Sequence, residues 1–305
     1  MPEGHSVHRI AARLGAGLGE QPISVSSPQG RFASGAALLD GRTLLDCRAV
    51  GKQLFAEFAG DLTLRVHLGL YGAWDFWEQD AAGPANSSLG APRRIRAGES
   101  EAALDGGGQA GASVGTWPPA PVGAVRVRLS TATLCADLRG PTACEVLTPE
   151  ETAAQLQKLG PDPLVDGTAA GRRRFLERAG RRRTAIGALL MDQSVVAGIG
   201  NIYRAEMLFR AGVDPCTPGA QLGEGTLSAL WDDWCRLLRL GIETGVILTR
   251  TGLRGAARER ALAGPDERHF VYGREGLPCR ECGTPVSMAL MQNRKLFWCA
   301  GCQTG

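Results

Sequence analysis

Apolar residues recur at helical spacing from the start of the chain. Val7, Ile10, Ala11, Leu14 and Leu18 share one face, which predicts an amphipathic helix from about Gly4 until Gly15, Gly17 and Gly19 interrupt it. From Ile23 to Trp77 the pattern shifts to short β-type runs parted by turn residues: Leu44–Val50, Gln53–Phe58, Leu62–Leu68 and Tyr71–Phe76. Short strands at such close spacing predict a sandwich or barrel. Residues 80–123 are dominated by Ala, Gly, Ser and Pro around Gly106-Gly107-Gly108. Too poor in apolar surface to fold alone, they predict an inserted, mobile loop. Strand character resumes at Val125–Leu129 and Leu134–Leu138, and the first domain ends near Val146. The second half is helical. Thr148-Pro149-Glu150-Glu151 has the order of a helix start, with an N-cap Thr, a first-turn Pro and a Glu three residues after the cap. Leu227, Leu230, Trp231, Trp234, Leu237, Leu238 and Gly241 again fall at helical spacing, so the two tryptophans are assigned to a core rather than to base stacking.

Composition bounds this picture. At 305 residues, 44% of them hydrophobic, the chain can bury two cores with a small appendage. It contains no run of eighteen apolar residues, and neither a basic segment nor an apolar stretch of secretion type heads it, which predicts a cytosolic protein with no membrane partner. A net charge of +3 does not by itself demand nucleic acid. Lys52, Lys158 and Lys295 are the only lysines, and the other basic residues are arginines, the side chain shaped for bidentate phosphate contact. The triplets Arg172-Arg173-Arg174 and Arg181-Arg182-Arg183 read first as solvated helix faces.

Four stretches carry chemistry. Cys279-x-x-Cys282 is followed after sixteen residues by Cys299-x-x-Cys302, the spacing of a four-thiolate structural Zn2+ site. Between the knuckles, Met288–Trp298 predicts a β-hairpin carrying Arg294 and Lys295, which either reach a phosphate or form a solvated tip. In the second stretch, Met191–Asn201, a helix from Thr184 is predicted to end and the chain to turn at Gly198 and Gly200. Asn201 then caps a helix through Tyr203, Glu206 and Phe209, whose free N–H groups would attract phosphate. The third is Gly51-Lys52 with His67-Leu68-Gly69-Leu70-Tyr71-Gly72. The apolar pair Leu70-Tyr71 between glycines either wedges into a base stack or forms a partly buried turn. The fourth is Met1-Pro2-Glu3-Gly4. With Met1 removed, Pro2 would be a secondary amine titrating at about pH 7.7–8.0, nucleophilic without burial, and able to form an iminium with an aldehyde.

Taken together, Pro2-Glu3-Gly4, Gly51-Lys52, Leu70-Tyr71-Gly72, Asp192-Gln193 to Glu206, Tyr272-Gly273-Arg274 to Pro278-Cys279 and the cysteine knuckles resemble the formamidopyrimidine-DNA glycosylase and endonuclease VIII family along the whole chain. The resemblance implies an α+β fold of two domains: an N-terminal β-sandwich with an N-terminal helix over 1–147, and a helical helix-two-turn-helix domain over 148–265 with a zinc-ribbon hairpin over 266–305. It implies a monomer holding damaged DNA in a cleft, and a bifunctional enzyme that removes an oxidised base and then cuts the strand. In that scheme Pro2 attacks C1′, Glu3 protonates and later deprotonates the opening sugar, and Lys52, Asn201 and Arg294 hold phosphates. Leu70 and Tyr71 fill the gap left by the flipped nucleotide, and Glu206 is a buried supporting carboxylate.

The chain departs from the family at two places. Ser6, preceded by His5, stands where a second Glu is usual, and Gly69 stands where endonuclease VIII relatives carry Gln. The smaller wedge implies weaker handling of intact duplex lesions than of abasic or single-stranded ones. The start and the Leu-Tyr-Gly turn lean toward oxidised pyrimidines. A glycosylase for oxidised purines, and a non-catalytic DNA-binding protein of the same fold, are the alternatives.

Overall fold

The computed structural model describes residues 2–79, 85–91 and 117–304. Contacts divide the chain into two compact units: Met1–Pro2 with Ser6–Gln155, and Glu3–His5 with Leu156–Gly305. The sequence boundary, drawn at 147/148, thus lies eight residues before the contact boundary, and the second unit includes three residues from the chain start. Among the described residues no helix is long and apolar enough to cross a membrane.

In the first unit, α1 (Gly4–Leu18) runs as the apolar spacing predicts. Its Val7, Ile10, Leu14 and Leu18 are buried, each contributing roughly 2 kcal/mol by removal from water. Among the described residues nine strands follow: β1 (Ser24–Ser26), β2 (Leu44–Val50), β3 (Gln53–Phe58), β4 (Leu62–His67), β5 (Ala73–Glu78), β6 (Ala85–Gly90), β7 (Val125–Ser130), β8 (Leu134–Arg139) and β9 (Ala143–Leu147). They form two antiparallel sheets, ordered β1-β7-β8-β5-β6 and β2-β3-β4-β9. Leu54, Phe58 and Leu64 of one sheet and Trp74, Phe76, Val127 and Leu138 of the other share a single core with α1. This is the expected sandwich.

Two expectations fail in this unit. The stretch from Ile23 to Trp77 is not wholly β-type, because Ala33–Leu39 forms a helix, α2, that buries Ala36 and Leu39 three residues apart. Seven residues are too few to display a helical period in sequence. The 80–123 stretch is also not all loop. Ala85–Gly90 is strand β6, paired with β5 from Ala73↔Gly90 to Glu78↔Ala85, and Trp117 donates its indole N–H to the Thr131 carbonyl at 2.8 Å. Residues of low β propensity become a strand here because the edge of β5 supplies the ladder. Residues 80–84 and 92–116 of that expectation lie outside the described residues.

The second unit opens at the end of α3 (Pro149–Gln157). The N-terminus of α3 is the predicted capping box: Thr148 N–H donates to Glu151 Oε2 at 2.9 Å, and Glu151 N–H donates back to Thr148 Oγ1 at 3.3 Å. Helices α4 (Thr168–Gly180), α5 (Ile186–Leu189), α6 (Asn201–Arg210) and α7 (Glu224–Thr244) follow, then α8 (Gly255–Ala263) and a hairpin of β10 (Ser287–Met291) and β11 (Arg294–Trp298). The helix expected from Thr184 is the single turn α5. Trp231 and Trp234 are buried in the α4–α7 core, as expected. Gln292 and Asn293, both in the left-handed region, turn the hairpin. Its Phe297 and Cys299 join a small second core with Ala205 and Phe209 of α6.

Candidate active site

In the second unit the site is built on the N-terminus of α6. Its cap residue is Gly200, not Asn201, and no side chain of the segment closes the helix. The closing group is Glu3. Its carboxylate accepts N–H bonds from Gly200 at 2.9 Å, Ile202 at 2.8 Å and Tyr203 at 3.3 Å, and Gly4 N–H donates to the Gly198 carbonyl at 2.9 Å. Three N–H donors at a helix N-terminus are complementary to an anion, so the helix dipole and the hydrogen bonds act together on Glu3. The free N–H groups expected to await a phosphate are therefore occupied by the chain's own carboxylate. Gly200 is extended, at φ −120°, so no turn demands a glycine there. A Cβ at that position would lie 2.4 Å from Glu3 Cδ, and the close approach is what excludes a side chain. Glu3 is fully buried. Burial and the Glu3 charge hold the Tyr203 phenol well above its ordinary range.

Asn201, buried as the first residue of α6, donates its amide to the Lys295 carbonyl at 2.7 Å rather than capping the helix. This brings Asn201 to β11, whose first residue is the half-buried Arg294. Glu206, fully buried one turn further along α6, accepts from the Thr249 hydroxyl and from the N–H groups of Phe270 (2.7 Å), Val271 (2.8 Å) and Tyr272 (2.8 Å). These bonds fix the stretch of chain that leads to Cys279. Arg204 was missed by sequence reasoning. It is fully buried, donates to Asn201 Oδ1, and donates to the Lys295 carbonyl at 3.2 Å.

The thiols of Cys279, Cys282, Cys299 and Cys302 lie within 4.8 Å of one another. Cys279 and Cys302 sulfurs are 3.8 Å apart, and Cys282 and Cys299 are 3.4 Å apart. A tetrahedral ion with metal–sulfur bonds of about 2.3 Å requires sulfurs about 3.8 Å apart, so the set fits Zn2+. The Thr284 hydroxyl and N–H bring the Cys282 thiol down to about 6, favouring the thiolate a metal needs. Gly301 passes close beside the first knuckle, since a Cβ there would meet Thr284 Oγ1 at 2.6 Å and Cys282 Sγ at 3.0 Å. Gln303 ties the second knuckle to the helical unit, accepting from Cys299 N–H and donating to the Val213 carbonyl, both at 2.9 Å.

In the first unit, Pro2 is buried, and Lys52 is the second residue of the two-residue turn joining β2 to β3, where Gly51 takes φ +60°. Burial, then the charges of Lys52 and Arg65, hold His67 below its ordinary range. Strand register sets His67 opposite Gln53, the residue that follows Lys52. Leu70 and Tyr71 are 37% and 58% exposed on the turn closed by Gly72 N–H to the Leu68 carbonyl at 3.0 Å. Both side chains are thus exposed rather than tucked into a partly buried turn. Gly69 is left-handed at φ +65°, with Thr142 Oγ1 filling the space of its missing Cβ.

Models of two known domains match the chain: the formamidopyrimidine-DNA glycosylase N-terminal domain over residues 1–138, and the helix-two-turn-helix domain of the same enzymes over 159–252. The chain is 39% identical over 305 residues to endonuclease 8 1 of Mycobacterium tuberculosis, with both chains fully covered. It belongs to the formamidopyrimidine-DNA glycosylase and endonuclease VIII family of DNA glycosylase/AP lyases. Endonuclease 8 of Escherichia coli is 29% identical over 310 residues, covering 99% of this chain and all of the relative. The fold is that of Lactococcus lactis Fpg solved with abasic-site DNA, at a TM-score of 0.70 and 21% identity over the full length of both. Membership in this family makes the chain a DNA glycosylase of base-excision repair.

Proposed function

We propose that the enzyme excises oxidised bases, pyrimidines above all, and cleaves the resulting abasic site through a Schiff base on Pro2. The observation that carries this reading is the placement of Glu3. A carboxylate fully buried and fixed by three backbone N–H bonds stands one residue from the amine that would be the nucleophile. The named activity of the 39% identical relative, and the abasic-site DNA bound to the Lactococcus lactis fold relative, support it.

In this mechanism the Pro2 nitrogen attacks C1′ of the damaged nucleotide, the N-glycosyl bond breaks, and the base leaves with its bonding pair and a proton. Opening of the sugar gives an iminium between Pro2 and C1′. Its positive nitrogen draws electrons from the C2′–H bond, and loss of that proton expels the 3′ phosphate; a second elimination expels the 5′ phosphate. Glu3, anchored but retaining lone pairs, stabilises the cation and exchanges protons with the opening sugar. Lys52, Asn201 and Arg294 hold phosphates, and exposed Leu70 and Tyr71 enter the space of the flipped nucleotide. Cys279, Cys282, Cys299 and Cys302 would hold Zn2+, which would serve structurally by fixing the hairpin that carries Arg294. With no side chain at Gly69, the two-residue wedge suits abasic and single-stranded lesions better than intact duplex lesions.

The test is borohydride trapping on oligonucleotides carrying an abasic site, thymine glycol, 5-hydroxyuracil or 8-oxoguanine, with Met1 confirmed absent by intact mass. Covalent complexes with the abasic and oxidised-pyrimidine strands are expected. A preference for 8-oxoguanine would move the substrate to oxidised purines, and no complex on any strand would overturn the lyase reading.

A further inference from the structure

Arg204 has no place in the scheme above, yet its surroundings are unusual. It lies on the inner face of α6, one turn after Gly200, whose carbonyl accepts its backbone N–H at 2.9 Å. The side chain is 0% exposed. One terminal nitrogen, Nη2, donates to both Asn201 Oδ1 and the Lys295 carbonyl, while Nε and Nη1 have no hydrogen-bond partner among the described residues. Burial pushes this guanidinium down to about 10. The Glu3 charge opposes that shift, the Arg294 charge adds to it, and Tyr272 opposes it more weakly.

A buried arginine with two of its three nitrogens unpaired is poor value as a stabilising element. An apolar side chain of the same length fills the space without desolvating a charge or stranding donors. What the arginine alone can do here is fix orientation. By donating to Asn201 Oδ1 it settles which end of that amide is oxygen, so that Nδ2 must point to the Lys295 carbonyl at 2.7 Å. By donating to the same carbonyl it places a second anchor on β11 at the residue adjoining Arg294. Two phosphate-holding groups, one on α6 and one on the metal hairpin, are thereby set by one side chain.

We propose that Arg204 is a positioning residue of the strand-cleavage reaction, holding the Asn201 amide and the β11 backbone before Arg294 in the geometry that receives the phosphates. This rests on the lyase reading given above. Arg204 itself touches no substrate.

The experiment uses the full chain with its metal in four forms besides wild type: Arg204→Met, Arg204→Lys, Asn201→Ala and the Arg204→Met/Asn201→Ala double variant. Each is assayed by thermal melting and by single-turnover cleavage of an abasic-site oligonucleotide. Arg204→Met is expected to melt within a few degrees of wild type, or above it, while cleaving about a hundredfold more slowly at saturating DNA. Arg204→Lys, which keeps a donor for Asn201, should recover about tenfold of that loss. The double variant should be no slower than the slower single variant, because both changes break one arrangement. Should the Met variant fail to fold, Arg204→Gln, whose amide ends two bonds short of the position of Nη2, is read by the same criteria as the Met variant. Wild-type cleavage by a folded Met or Gln variant overturns the proposal. So does a loss of rate that tracks loss of melting temperature, or strict additivity with Asn201→Ala. Failure of the wild-type chain itself to trap or cut abasic DNA would instead overturn the lyase reading.

Discussion

Replacing Gly200 with Ala displaces Glu3 without altering it. The added Cβ would sit 2.4 Å from Cδ, 2.7 Å from Cγ and 2.7 Å from Oε1 of Glu3. The backbone at φ −120° is open to alanine, so none of the effect is local strain. Reaching ordinary carbon–carbon contact requires the carboxylate to retreat by about 1 Å. That movement takes the bonds from Gly200 and Ile202, at 2.9 and 2.8 Å, beyond hydrogen-bond range. Two bonds to a charged acceptor, taken at the low end of about 1.5 kcal/mol each, give a loss of about 3 kcal/mol. For a unit of this size that lowers the melting temperature by about 6–12 °C. The same shift moves the proposed catalytic carboxylate by about 1 Å, enough to slow cleavage about a hundredfold. Differential scanning calorimetry and single-turnover cleavage read the two effects. Gly225→Ala, where a Cβ meets nothing within 4 Å in the first turn of α7, is the control and should melt at or slightly above wild type. A Gly200→Ala protein that melts and cleaves like the control would refute the claim that this glycine exists to admit Glu3.

Three further outcomes are expected. Leu70→Ala/Tyr71→Ala should leave melting unchanged, since both side chains are exposed, while lowering cleavage of duplex lesions about tenfold more than cleavage of single-stranded abasic DNA; equal losses on the two substrates would contradict the wedge. Cys299→Ser should lower bound zinc from one equivalent, measured by elemental mass spectrometry, and abolish DNA binding in gel-shift assays; retained metal and affinity would contradict a hairpin held by the ion. His67 and His269 are both held below their ordinary range by burial, so each takes up its proton more readily once unfolded. Their contribution is present above about pH 6.5 and lost as pH falls below it, so melting temperature should decline toward pH 5.5 and His67→Gln/His269→Gln should flatten the decline; equal slopes would refute the assignment.

What could be read from sequence was local. The cysteine knuckles announce a metal because their spacing is itself the geometry of the site, and α1 announces itself by five buried residues on one stripe. The Thr148 box was legible because its two partners lie three residues apart. Asn201 misled for the complementary reason. Asn is a common cap, but the actual cap of α6 comes from a carboxylate 197 residues away in the chain. No local pattern encodes such a contact, although the glycine that permits it was visible and was assigned to a turn. Arg204 was hidden among many arginines, and only burial separates it from those on solvated faces. Strand β6 depends on a partner edge that its own residues do not specify.

The account turns on Pro2 as the attacking amine. The most direct measurement is proteolysis and tandem mass spectrometry of the borohydride-reduced complex formed with an abasic-site oligonucleotide, to locate the sugar remnant. The prediction is a single adduct on the nitrogen of an N-terminal Pro2. An adduct on Lys52 or any other lysine, or a trapped complex that survives retention of Met1, would contradict it.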